Sequence, residues 1–164
     1  MAYLLDSNVF IEAKQRYYDF GVCPGFWQWL AEANAEGRVY SIEKVGAELS
    51  AGNDGLSEWA SDRGEAFFLP ADEPMLRSLV ATVEWARQQP FRPTAINAFA
   101  DDADAYLVAY AHAHAHTVVT HERPSDGVKQ VKIPNACVGM NVRYINTFEM
   151  LRREGARFVL EPTA

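Results

Sequence analysis

The chain has 164 residues, 49% of them hydrophobic and 23% charged, the proportions of one globular domain spanning residues 1–164 with its own core. A net charge of −7 and a pI of about 5.1 argue against broad phosphate neutralisation, but leave room for an enzyme that touches nucleic acid locally, where a cation masks acidic groups. No run is long and apolar enough to span a bilayer, no secretory signal opens the chain, and Cys23 and Cys137 are too isolated for a disulfide framework or zinc knuckle.

A cytoplasmic protein with no membrane association is therefore expected. In chain order, "AYLLD" reads as a short buried strand, apolar and then broken by a polar group. "CPGFWQWLAEANAEG" predicts a helix with Pro24 near its start and Gly37 past its end. "RVYSI" is a second strand, and "EKVGAELSAG" a short helix closed by Gly52. "SEWASDRGEAFFLP" gives another short helix and a brief strand at residues 67–69.

"DEPMLRSLVATVEWARQQ" is the most periodic helix. Asp72 is its N-cap, Pro74 lies in its first turn, and Leu76, Leu79, Val80 and Val83 form its apolar stripe. "QQPFRPT" breaks it; "DDADAYLVAYAHAHA" is the next helix and "TVVT" a short strand. After the loop "HERPSDG", "VRYIN" reads as a strand. "TFEMLRREG" reads as a helix capped by Thr147 and stopped by Gly155, and "RFVL" as a last strand. Strands alternating with helices imply a parallel sheet covered by helices on both faces.

In such a sheet, ligands bind beyond the carboxyl ends of the strands. Asp6 ends the first strand, and Glu122 lies just past "TVVT". Asp101 and Asp104 open the helix that feeds "TVVT", and Glu48 lies in the helix after "RVYSI" beside Leu49, with Gly46 allowing close approach. Four segments thus deliver carboxylates to one edge. Such acids raise one another's pKa, and a hard divalent cation with oxygen ligands, Mg²⁺ or Mn²⁺, relieves the repulsion. Acids with no fixed Ser or Cys nucleophile point to metal-assisted hydrolysis of a phosphate ester by water.

Each acid has a plainer role open to it. Asp6 suits a helix N-cap as well as a ligand, Asp101 suits capping better, and Glu48 alone would be a solvated helix residue. Asp104 leans towards function, because "AYLVAYA" draws its helix into the core. His112 and His116, in "HAHAH", have zinc-like spacing but no accompanying ligand motif.

These residues resemble the PIN-domain family of metal-dependent ribonucleases. "YLLDSN", Glu48 in "VGAEL", "DAYLVAYA" from Asp104 and "VVTHE" with Thr120 and Glu122 match the family's four anchors in order over residues 3–122. The tail "KIPNACVGMNVRYINTFEML" resembles its closing portion. The resemblance implies a three-layer α/β/α sandwich, with Mg²⁺ or Mn²⁺ held by Asp6, Glu48, Asp104 and Glu122. Asn8 and Thr120 would orient ligands or water. The fourth acid is more commonly Asp, which leaves Asp126 as a substitute for Glu122.

The resemblance extends to VapC-type toxins of toxin–antitoxin pairs, and so implies an RNA substrate, a small antitoxin partner and a homodimer. The stretch through Trp59, Trp85 and "QQPFRPTAINAFA" is longer than in compact members and could reshape the RNA entrance or form a dimer face. "YYDFGVCPGFWQWL" suits either a partner interface or core packing through Phe26, Trp27 and Leu30. Two other readings stand beside the nuclease. One is a non-catalytic PIN-like scaffold. The other is a phosphatase of the haloacid-dehalogenase type, which needs an Asp where Asn8 stands.

Overall fold

The computed structural model describes residues 1–162. Five short strands, β1 (Tyr3–Leu5), β2 (Val39–Ile42), β3 (Phe68–Leu69), β4 (Thr117–Val119) and β5 (Tyr144–Ile145), form one parallel sheet in the order β3-β2-β1-β4-β5. Between and after them run α1 (Ser7–Glu12), α2 (Pro24–Ala35), α3 (Glu43–Ser50), α4 (Gly55–Arg63), α5 (Glu73–Arg87), α6 (Pro93–Asp101), α7 (Ala103–His114), α8 (Ile133–Gly139) and α9 (Thr147–Arg153). The result is a three-layer α/β/α sandwich.

β1 is the middle strand, and its sequence suits that place. Leu4 and Leu5 are fully buried, as a parallel strand covered on both faces requires. Its register pairs Leu4 with Tyr40 on one side and with Val118 on the other. Each large aliphatic side chain so buried contributes roughly 1.5–3 kcal/mol, which offsets the low count of residues per strand.

On one side of the sheet an aromatic cluster closes the core. The Phe10 ring lies 5.7 Å from Trp59 and 5.9 Å from Phe68, and Trp59 lies 5.1 Å from Trp27. Gly46 is what lets α3 sit on this cluster: a Cβ there would stand 2.8 Å from the Phe68 ring. Phe26, Trp27 and Leu30 are buried, so the core-packing role of that aromatic segment is the one the fold uses. The Trp27 indole N–H is satisfied by the Tyr18 carbonyl at 2.7 Å.

α7 is buried along most of its length, and its alanines 103, 105, 109 and 111 let neighbours approach closely. α5 packs against it through Met75, Ser78, Thr82 and Ala86. The expected stripe on α5 is therefore corrected: Leu76 is 49% and Val80 71% exposed. Small side chains won the inner face because two helices that approach closely need little volume between them, and the Thr82 hydroxyl is satisfied within the helix by the Ser78 carbonyl.

Other expectations held or shifted locally. Asp72 caps α5 by accepting from the Met75 amide at 2.9 Å, and Gly37 and Gly155 adopt the left-handed backbone that ends α2 and α9. α9 is capped by Asn146, whose side chain accepts from the Glu149 amide, and not by Thr147. α7 is capped by Asp102 and not by Asp101, which ends α6. Residues 157–160 form no strand. α6 and α8 were not anticipated as helices; both carry a proline in the first turn and are short.

Candidate functional site

The strand order reverses between β1 and β4. The chain leaves β1 for β2 on one side and later returns to β4 on the other, which opens a crevice beyond the carboxyl ends of these two strands. The first residue after β1 is Asp6, and the first after β4 is Thr120. Both are buried, at 3% and 2% exposure. The Thr120 hydroxyl donates to Asp6 Oδ2 at 2.9 Å and accepts from the Glu122 amide at 3.1 Å. Ser7 Oγ donates to Asp6 Oδ1 at 3.4 Å. Asp6 occupies the N-cap position of α1, yet its side chain makes no capping hydrogen bond. It is directed across the crevice towards β4.

The other acids reach the same crevice from three directions. Asp104 lies in the first turn of α7, half-buried. Burial, and then the charges of Asp6, Glu122, Asp102 and Glu48, push its carboxyl up to about 8. Burial also raises Asp6, against the hydrogen bonds from Thr120 and Ser7. Glu122 is raised by burial and by Asp6, with Lys132 opposing. Glu48 is open to solvent as a residue, but desolvation of its carboxyl and the charges of Asp102 and Asp6 raise it. The four sequence-predicted acids thus act on one another.

Their arrangement is electrostatic and not yet that of a finished cage. Among the described residues, no three Asp, Glu, His or Cys side chains converge as metal ligands do. The carboxylates share one field without meeting at one point, and a cation would have to draw them together. The donor set still fits a hard divalent ion: oxygen only, several formal negative charges, one ligand buried and oriented by a hydroxyl.

Asp126 is exposed further along the loop, and the loop acid that acts on Asp104 is Glu122. Asn8 is exposed on the first turn of α1. Asp102 is the acid that sequence reasoning passed over. Its side chain accepts from the Ala103 amide at 2.8 Å, and its charge acts on Glu48, Asp104 and Glu122. The signal was present in "DDADA": the N-cap of this helix lies two residues before Asp104, which places the cap beside the site.

The "HAHAH" histidines lie at the opposite end of α7 and bind no common point. His112 Nδ1 is 2.8 Å from Ser78 Oγ, His114 Nε2 is 2.8 Å from Asp72 Oδ2, and His116 Nδ1 accepts from the Ala2 amide at 3.0 Å. Ala115, in the left-handed conformation, ends the helix before His116, so the two outer histidines do not share a helical face.

The five-stranded parallel sheet in this order, with helices on both faces, is consistent with the PIN-like fold that the sequence resemblance implies. Two solved structures share it, each matched over 89% of this chain and 98% of the other. One is VapBC2 from Rickettsia felis bound to a DNA fragment from their promoter, with a TM-score of 0.56 and 14% identity. The other is FitAcB from Neisseria gonorrhoeae, with a TM-score of 0.55 and 23% identity. No curated protein matches the chain. Within this fold the chain belongs to the family described as Domain of unknown function (DUF4411), whose model matches residues 3–158.

Proposed function

We propose that the protein is a metal-dependent endoribonuclease that hydrolyses RNA phosphodiester bonds, and that it is the toxin of a bacterial toxin–antitoxin pair. The observation that carries this reading is the set of carboxylates from four segments acting on one another at the switch-point crevice. Asp6, Glu48, Asp104 and Glu122 would hold Mg²⁺ or Mn²⁺, with Asp102 adding negative charge beside them. The ion, when bound, would supply Lewis acidity at the phosphate and ease deprotonation of water.

The chain's own residues set the stage for this. Thr120 fixes the orientation of Asp6, and its contact with the Glu122 amide holds the following loop against the same crevice. In-line attack of water on phosphorus, with departure of the 3′ oxygen, leaves 5′-phosphate and 3′-hydroxyl ends. A pure scaffold has no use for buried, mutually repelling acids, which favours the enzyme over the non-catalytic reading.

The similarity to the VapBC2 and FitAcB complexes supports a small antitoxin partner. A net charge of −7 suits a basic inhibitory arm entering the acidic crevice. The exposed Leu76 and Val80 face of α5 offers an apolar surface to a second copy of the chain. Among the described residues no helix is long and apolar enough to cross a membrane.

The test is RNA cleavage by the purified protein with Mn²⁺, with EDTA, and by Asp6→Asn. Mn²⁺-dependent cleavage lost in the folded variant is the expected outcome. Activity indifferent to EDTA and to Asp6→Asn, or products ending in 2′,3′-cyclic phosphate, would overturn the mechanism.

A further inference from the structure

Beside the acid crevice, and sharing Thr120 and Glu122 with it, lies an open cleft of about 630 Å³. Its walls come from the end of α1 and the turn after it, the loop after β4, strand β5 and the start of α9. Four aromatic rings line it, those of Tyr17, His121, Tyr144 and Phe148, and three of these pack together. Tyr17, 47% exposed, meets Phe148 edge to face at 5.0 Å and lies 6.0 Å from His121; His121 and Phe148 are 5.6 Å apart.

Tyr17 is placed there by the backbone. Residues Ala13–Tyr17 form a π-helical turn, closed by the Tyr18 amide on the Ala13 carbonyl at 2.7 Å. Such turns re-aim side chains and are common at functional sites. The two adjacent tyrosines part company: Tyr18 turns inward and stacks on Phe26 at 4.5 Å, while Tyr17 stays open to the cleft. His121 is fixed by Thr147 Oγ1 at 3.0 Å from Nε2. Glu12 and Glu149 also line the cleft, Glu12 paired with Arg16 at 3.4 Å and Glu149 with Arg153 at 2.9 Å, and the cation Arg123 is exposed beside them.

We propose that this cleft is a nucleobase subsite: it takes one unpaired base of single-stranded RNA, next to the phosphate held at the acids. The inference rests on the nuclease reading and names its substrate class. Tyr17 and Phe148 supply ring surface for the base, Glu12 accepts from amino groups on its edge, and Arg123 meets the flanking backbone phosphate. The volume exceeds that of one base, and a base within a duplex stays in its stack and does not reach the rings.

The experiment uses a short single-stranded RNA carrying 2-aminopurine, and the same sequence as a duplex, in the Asp6→Asn background so that binding is read without cleavage. Tyr17→Ala is expected to weaken single-strand binding about tenfold and to relieve quenching of the fluorescent base, while Tyr17→Trp retains both and the duplex binds weakly throughout. Equal affinity of Tyr17→Ala and its parent, or equal binding of duplex and single strand, would overturn the subsite. Cleavage with Mn²⁺ by the chain with Asp6 intact is scored separately. If cleavage occurs but the Tyr17 variants bind alike, the subsite alone fails; if the chain neither binds nor cleaves RNA, both readings fail.

Discussion

The two ends of α7 show what separates a structural polar group from a candidate functional one. At its C-terminal end every histidine has a partner inside the chain: Ser78 for His112, Asp72 for His114, the Ala2 amide for His116. At its N-terminal end, Asp104 faces like charges from Asp6, Glu122, Asp102 and Glu48. One end is satisfied by the fold and the other is destabilised by it. That contrast is why the acids, and not the histidines, carry the proposed function.

The sharpest way to break this contrast is to neutralise each end in turn. Asp104→Asn should lower Mn²⁺-dependent RNA cleavage by at least about a hundredfold, measured as initial rate, yet raise the melting temperature of the metal-free protein near neutral pH, because the folded chain no longer has to hold a proton that the unfolded chain releases. A variant that melts lower and cleaves normally would reverse the assignment. Thr120→Val, which leaves Asp6 without its hydroxyl partner, should weaken Mn²⁺ binding by about ten- to a hundredfold in calorimetry.

The ends should also respond to pH with opposite sign. Asp104 in the folded chain keeps its proton up to about 8, whereas in the unfolded chain it releases it near about 4. Between those values the folded state binds the extra proton, so this group's contribution to stability is full at low pH and is lost as pH rises towards 8. Burial holds His116 below its ordinary range. There the unfolded state binds the extra proton, so stability is present above about 6.5 and is lost as pH falls through the folded value. Urea denaturation of the metal-free protein and of Asp104→Asn and His116→Gln checks both: Asp104→Asn should flatten the decline as pH rises from about 4 to about 8, and His116→Gln the decline as pH falls below about 6.5.

The smallest effect belongs to the satisfied end. His114→Ala removes one partly exposed contact to Asp72 and should lower stability by only about 0.5–1 kcal/mol in urea denaturation, with cleavage unchanged.

The placement of the candidate acids was legible because their segments follow strand ends or open helices, with Glu48 farther along its helix, and chain order alone puts those segments on one edge of a parallel sheet. Asp6, Glu48, Asp104 and Glu122 lie in the segments where strand and helix alternation set them. Their mutual distances were not legible, since these depend on how far each helix is rotated and on where side chains settle. The α5 stripe shows the limit: Leu76 and Val80 repeat at helical spacing, but so do Ser78, Thr82 and Ala86, and only the proximity of an alanine-rich α7 decides which face turns inward. Asp102 was hidden by its neighbour, because two adjacent aspartates look equally able to cap. The aromatic cleft was hidden for another reason: nothing in "RYYDF" says that one tyrosine turns in and the next out, since that follows from a single widened helical turn.

The Thr120–Asp6 hydrogen bond joins residues 114 positions apart, and β1, made first, finds its second neighbour in β4. During synthesis the central strand must therefore wait, half-paired, until residues 117–120 have emerged. The crevice has no second wall until then. The candidate site is thus absent from a nascent chain until β4 and the loop after it are free to pair with β1.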